Sequence, residues 1–447
     1  MTDRSLPFRL SEKARRTQPP PINFLLSLPL ANPGLISLAA GLVDQETLPA
    51  EEMRALTAKV LADPGGARQS LQYGETAGLG ELRQAIVEHV CRLDGVTAGD
   101  LKVSADSVVL SSGSQQLLYI VTDMLCDPGD IVITEWPSYF VYTGVLNSLG
   151  VSVRAVDMDE GGMKIDALAE TLAQLKADGE LNRLKIVYTC DYYQNPTGIT
   201  LDEDRRQPLL ELVRSYCTGH RICILEDAAY RELSASAAAP RSIKSYEDDN
   251  ALVVLAQTFS KPFSPGLRTG YALLPDALVG PALDQKGGHD FGSCNFVQHV
   301  LLEAMRSGRY DRHVVLLRRR YRAKRDAMLA ALDRHLGDFE CDRTSWTVPG
   351  GGLYVYLTLP EWMDTGADGE LFASAVAEGV AYVPGEYCYG PDPRRQTPRH
   401  HMRLTFGTVD ESAIDEGIAR LSRAIRKAAR PVSAATAPPA AGVQRPS

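Results

Sequence analysis

Residues 258–268 read Thr258-Phe259-Ser260-Lys261-Pro262-Phe263-Ser264-Pro265-Gly266-Leu267-Arg268. They set one lysine among hydroxyls, turn residues and an arginine, directly after the apolar run 251–255. A lysine amine is a poor nucleophile until its surroundings hold it unprotonated or tie it up as a Schiff base. The hydroxyls and Arg268 are the donors that a phosphate-bearing ligand requires. A lysine after a serine is most often a solvated surface residue, so the segment takes its meaning from its surroundings.

Outward from this segment, short apolar runs alternate with helical patterns. Strands are predicted at 108–110, 130–134, 152–156, 184–189, 222–225, 251–255 and 268–274. Helices are predicted at 49–61, 81–93, 139–149, 165–176 and 208–216, with another running through Met124. Such alternation implies a mostly parallel sheet covered on both faces. Beyond Phe296 a helical region runs to about 335 with a break near Gly308. Gly350-Gly351-Gly352 then precede an alternating strand at 353–359, a helix at 371–378, a strand at 399–406 and a helix at 411–428. The expected class is α/β, a three-layer large domain with a smaller α+β domain. The expected boundaries are an arm at 1–36 with one short helix, the first part of the small domain at 37–69, the large domain at 70–300, its C-terminal small partner at 301–429, and a disordered Pro-, Ala- and Ser-rich tail at 430–447.

The chain has 447 residues, 44% hydrophobic and 23% charged, enough for more than one domain. A net charge of -9 argues against a nucleic-acid partner, which would call for a concentrated basic face. The basic run from Arg318 to Arg325 lies on a helical pattern and reads as a solvated face or a salt-bridged contact. The eight cysteines are scattered with no CxxC pair, which fits a reducing compartment. No metal-ligand cluster, apolar leader or membrane-length apolar run stands out, so a cytoplasmic protein with no membrane partner is expected.

Several residues join the lysine. Asp227 closes an apolar strand, where open α/β sheets place their ligand crevice. A carboxylate there is costly unless paired, although capping a helix would also account for it. Ser112, Gly113, Ser114 and Gln115 open a helix directly after a strand, so unpaired amides face outward. Asn195-Pro196-Thr197-Gly198 reads as a turn. Arg403 lies on a late strand, out of phase with Met402 and Leu404, and by itself suits a surface ion pair.

Taken in order, these residues resemble the fold-type I enzymes that use pyridoxal 5'-phosphate, specifically the class I/II aminotransferases and their 2-aminoadipate and aromatic transaminase subgroup. The resemblance spans roughly residues 36–425. It implies that Lys261 forms the cofactor aldimine and moves the α-proton. It implies that Asp227 pairs with the pyridinium nitrogen, and that Asn195 and Tyr230 donate to the cofactor's 3'-oxygen. Tyr139 would lie against the ring. Ser112, Gly113, Ser114, Gln115, Thr258, Ser260 and Arg268 would hold the phosphate, and Tyr73 would reach the phosphate of a neighbouring subunit in a homodimer. Arg403, with Gly41 and Asn195, would bind the substrate carboxylate. The implied reaction moves an amino group from an L-amino acid to a 2-oxo acid such as 2-oxoglutarate. Decarboxylation, β-elimination and side-chain oxidation are the alternatives on this scaffold. Two segments depart from the commoner pattern, Leu42-Val43-Asp44-Gln45-Glu46 and Asp290-Phe291-Gly292-Ser293-Cys294-Asn295, and both are expected to border the substrate. The winged-helix reader of regulators built on this domain is lacking, which disfavours transcription control.

Overall fold

The computed structural model describes residues 8–235, 239–340 and 343–429; the tail expected at 430–447 lies outside them. Its centre is an eight-stranded sheet in the spatial order Val108–Ser111, Gly270–Leu273, Val253–Thr258, Cys223–Asp227, Leu184–Thr189, Ile131–Trp136, Ser152–Asp159, Gly162–Met163. The four central pairings are parallel. Gly270–Leu273 runs antiparallel to both its neighbours, a reversal that apolar patterning does not carry.

Side chains on a strand alternate between faces, and here each face meets its own core. Ile131, Ile133, Val187, Ile224 and Val253 pack with Leu168, Leu172, Leu209 and Val213 of the helices Ile165–Ala177 and Glu203–Ser215. Val132, Ile186, Leu225 and Val254 belong to the opposite core, with Leu117, Val121 and Leu146 of Ser114–Leu125 and Phe140–Leu149. Both faces are therefore buried, which is why these strands read as continuous apolar runs.

A second sheet is antiparallel, in the order Ser345–Trp346, Tyr354–Thr358, His401–Thr405, Val383–Pro384. It packs with the helices Arg309–Leu336, Glu370–Ala377 and Glu411–Ala428. Ile36–Ser37 pairs in parallel with Val380–Ala381, tying the segment after the arm to this half.

Several expectations are corrected. The arm carries two helices, Glu12–Arg16 and Pro21–Ala31, where one was expected. The helix expected to start at Pro208 starts at Glu203, because its first turn is wholly polar and the proline reads as a beginning. Asp276–Asp290 forms a helix that the sequence hides behind Gly280, Pro281, Gly287 and Gly288. The break at Gly308 is present: its φ of +67° separates Asn295–Arg306 from Arg309–Leu336.

The basic run of the latter helix is not simply solvated. Lys324 and Arg320 reach the buried Asp44 at 2.7 and 3.0 Å, and Arg318 donates to the Glu232 carbonyl at 2.8 Å. The contacts to Asp44 hold the 42–47 loop against the helix.

Gly270 is where the sheet brings two strand ends together, opposite Ser111 on one side and Thr258 on the other. A Cβ there would lie 2.5 Å from the Ser114 nitrogen and 2.8 Å from the Gln257 carbonyl oxygen. Backbone cannot retreat as a flexible side chain does. Gly270→Ala is expected to cost about 3 kcal/mol through overpacking, seen as a lower denaturant midpoint at unchanged slope.

Candidate active site

The carboxyl ends of the parallel strands open into a cavity of about 390 Å³. Cys223–Asp227 ends there, and Asp227 is almost fully buried. One oxygen, Oδ2, accepts a hydrogen bond from the Tyr188 hydroxyl at 2.9 Å across the adjacent strand. The other, Oδ1, is buried with no partner among the described residues. Loss of water pushes the Asp227 pKa up to about 6, against the pull of the Tyr188 and Ala229 donors. A buried acceptor left open in this way calls for a cationic or strongly donating ligand group.

Lys261 lines the same cavity and donates to the Gly41 carbonyl at 2.9 Å. Burial lowers its pKa; Tyr354 opposes this, while the Arg403 and Arg268 charges favour it. An amine so placed spends more of its time as a free base, which is the nucleophilic and basic form.

Arg403, on His401–Thr405, is fully buried. Its guanidinium donates to Asn195 Oδ1 at 2.7 Å and to the Ala39 carbonyl at 2.8 Å, and lies 4.4 Å from the Tyr354 ring centroid. Its Nε has no partner among the described residues. A buried cation with an unused N–H can take an anionic ligand at little further desolvation cost. Because Asn195 gives its oxygen to Arg403, its amide nitrogen is left to donate elsewhere. Tyr230 lines the cavity with its hydroxyl 3.0 Å from that of Tyr354. A Cβ on Gly41 would fall 2.5 Å from the Tyr354 oxygen, so any larger residue there would push that buried hydroxyl aside.

At the other end, Gly113, Ser114, Gln115, Thr258, Ser260 and Arg268 line the wall. Gly113 has φ +80° and caps Ser114–Leu125, and a Cβ on it would meet Arg268 Nη2 at 2.9 Å. The Thr258 hydroxyl sits 3.0 Å from that of Ser260 and accepts from the Ser260 N–H at 3.1 Å. Helix amides, two hydroxyls and a guanidinium together form an anion cup. Tyr139 forms part of the cavity wall, and burial raises the pKa of its phenol, which therefore stays neutral. Trp136 instead packs on Tyr389, centroids 4.7 Å apart.

Three expectations separate from this group. Ser112 is exposed and off the cavity wall. Its N–H is taken by Gln116 Oε1 at 2.7 Å, so only its carbonyl, 3.5 Å from Arg268 Nη2, faces the cup. Tyr73 is 84% exposed and lies in a different cleft, edge-on to Phe291. The 290–295 segment shares that cleft rather than bordering the cavity; of the two departing segments, only Leu42 reaches the site.

Sequence reasoning missed Tyr188, Tyr354, Cys190, Phe140, Val141 and Ile22. Ile22 comes from the arm helix Pro21–Ala31 and, with Leu42, Phe140 and Val141, makes an apolar side to the cavity. The only usable signal was Tyr354, the second residue after the triple glycine.

Chemically, the cavity can hold a flat ring that offers a proton to Asp227 at one edge and an anion to the cup at another. An electrophilic carbonyl could meet Lys261, and a carboxylate Arg403. Among the described residues no cluster suits a metal ion, and no helix is long and apolar enough to cross a membrane.

Known proteins share this architecture. Residues 33–421 match the family model described as aminotransferase class I and II. Aromatic-amino-acid aminotransferase 1 of Thermococcus litoralis is 35% identical over 93% of this chain and 94% of its own length. The crystal structure of multiple substrate aminotransferase from Thermococcus profundus superposes with a TM-score of 0.85 at 33% identity, covering 94% of this chain and 98% of that one. The alpha-aminoadipate aminotransferase of Thermus thermophilus, complexed with N-(5'-phosphopyridoxyl)-L-leucine, gives 0.79 at 30% identity over 94% and 97% of the two chains.

The open oxygen of Asp227 has a measurable consequence in the ligand-free protein. Its pKa rises on folding from the ordinary 3.8 to about 6, so ionisation opposes folding. The penalty is absent below the unfolded value, grows between the two, and is complete above about 6. Asp227→Asn removes it. Denaturation of both proteins from pH 4 to pH 8 should show the variant gaining on wild type by up to roughly 3 kcal/mol, one pKa unit being about 1.4 kcal/mol.

Proposed function

The chain belongs to the class I and II aminotransferases, and on that premise we propose that it moves an amino group from an L-amino acid with an apolar or aromatic side chain to a 2-oxo acid. One observation carries this reading: a single cavity joins an amine that burial favours in its free-base form to a buried carboxylate oxygen with nothing to accept from.

The residues fit pyridoxal 5'-phosphate. When bound, it supplies an aldehyde for amines and a protonated ring that draws electron density from the α-carbon of an amino acid. Asp227 would hold the ring N–H with its open Oδ1, and Tyr188 fixes the other carboxylate oxygen. Asn195 through its amide nitrogen and Tyr230 through its hydroxyl would donate to the ring oxygen. Tyr139 would lie against the ring face. The amides of Gly113, Ser114 and Gln115, with Thr258, Ser260 and Arg268, would hold the phosphate; Ser112 contributes its carbonyl to Arg268.

Arg403 then binds the substrate carboxylate through the N–H groups that Asn195 and Ala39 leave free, while those two partners hold one N–H of each terminal nitrogen in place. Lys261 Nζ takes the proton from the substrate α-carbon. The Gly41 carbonyl orients that nitrogen.

The apolar side of Ile22, Leu42, Phe140 and Val141 supports the choice of donor. Among the described residues the cavity holds three basic side chains, Lys261, Arg268 and Arg403, and all three have other tasks. The acceptor 2-oxo acid presents to Arg403 the same α-carboxylate that the donor presents. Tyr73, exposed and outside this chain's cavity, supports a homodimer in which it reaches the neighbouring site.

Lys261→Ala should lower turnover by at least about a thousandfold, within the range of general acid–base catalysis, and abolish the visible absorbance change on adding amino acid. Wild-type-like turnover would falsify the assignment. In wild type, single-turnover mixing with aromatic, aliphatic and acidic amino acids should release the 2-oxo acid fastest for the aromatic and aliphatic donors. Ammonia or carbon dioxide release without amino transfer would instead identify an elimination or a decarboxylation.

A further inference from the structure

Glu135 stands on the strand Ile131–Trp136, four residues before Tyr139, and is 1% exposed. It takes no part in the cavity wall. Its partners among the described residues are neutral donors. The Thr189 hydroxyl reaches Oε1 at 2.6 Å; the Cys190 N–H and the Gln194 amide reach Oε2 at 3.1 and 2.7 Å. The titratable groups that face it are Asp191, Cys190 and Tyr188, none of them a cation.

All of these donors belong to one short stretch, 189–194, which runs from the end of a central strand directly into Asn195. Gln194 is held at both ends. Its amide nitrogen also lies 3.2 Å from the Pro137 carbonyl, and its oxygen accepts from Thr197 at 2.6 Å. Cys190, whose N–H Glu135 engages, lines the cavity. One carboxylate therefore joins the chain that carries Tyr139 to the chain that carries Asn195.

A buried carboxylate without a counter-ion is costly, and burial pushes this one up to about 7. An apolar or amide side chain would fold more easily here, so a gain elsewhere must account for the charge. That gain is geometric, because charge-assisted hydrogen bonds hold their donors more tightly than neutral ones. We propose that Glu135 is a positioning residue: its carboxylate fixes the 189–194 stretch so that Asn195 meets Arg403 in the orientation that binds the substrate's α-carboxylate. The proposal rests on the aminotransferase reading above for its substrate, while the ordering of 189–195 does not.

The test compares Glu135→Gln and Glu135→Ala with the wild-type holoenzyme. Glutamine retains an oxygen for Cys190 and Gln194, and its amide can donate to a rotated Thr189 hydroxyl, so this variant folds. The glutamate's pKa rises on folding from 4.5 to about 7. Its ionisation therefore costs nothing below the lower value and its full amount above the higher. Glu135→Gln should match wild type in melting temperature at pH 4.5 and exceed it at pH 8. Amide hydrogen exchange across 190–195 should nevertheless quicken about tenfold, the loss of one charge-assisted bond. The amino-acid KM should rise by a similar factor with kcat changed less than about threefold. Glu135→Ala should show larger effects on both. Unchanged exchange at 190–195 in the glutamine variant overturns the proposal, as does unchanged KM beside quickened exchange. Failure of wild type to transaminate any donor would overturn the functional reading instead, and the exchange measurement would still decide the role of Glu135.

Discussion

A carboxylate kept from water and half-supplied with donors is the constraint around which this molecule is arranged. Asp227 cannot be there unless the sheet puts Tyr188 beside it, and Tyr188 is beside it because two parallel strands share a register that sets Tyr188 opposite Leu225. The same strand ends present Lys261 and the anion cup at the same cavity. Gly270 is part of that arrangement: as a glycine on a reversed strand, it lets the 111–115 turn and Thr258 close on each other. The electrostatics of the site are thus written in strand order and register before any ligand is considered.

The second dependency runs between the two sheets. Arg403 belongs to the antiparallel sheet and Asn195 to a loop at the end of the parallel one, and the bond between them spans the divide. Tyr354 sits under that bond, with its ring against the guanidinium and its hydroxyl against Tyr230. The long helix Arg309–Leu336 secures the 42–47 loop from the far side through Asp44. Substrate would meet a surface whose parts are each held by something behind them, which is what orientation demands.

Most of this framework could be read from the chain, for reasons that differ by residue. Asp227 was legible because an acid at the end of an apolar run is anomalous, and Lys261 because hydroxyls and an arginine flank it. Arg403 was legible only as one of two choices, since a strand arginine does not reveal whether it is buried. Tyr188 was hidden: a tyrosine within Leu184–Thr189 looks like packing, and its partner lies on a neighbouring strand. Glu135 was hidden in the same way, as its donors are more than fifty residues away. Ser112 and the 290–295 segment lie off this chain's own cavity wall. Proximity in sequence to a cup or a helix start does not say which way an amide points, and Ser112 gives its N–H to Gln116. The antiparallel course of Gly270–Leu273 left no trace in its composition.

Asp227 Oδ1 and Arg403 Nε are both buried and both without partners among the described residues. A ligand that binds only the folded chain adds to its stability in proportion to the logarithm of its concentration over its dissociation constant. The unloaded chain forgoes that increment while still bearing the cost of the open groups. Cellular proteases act on the fraction of molecules that is unfolded, so a difference of this kind appears as lifetime. On the reading proposed above, a chain holding pyridoxal 5'-phosphate would therefore outlast one without it.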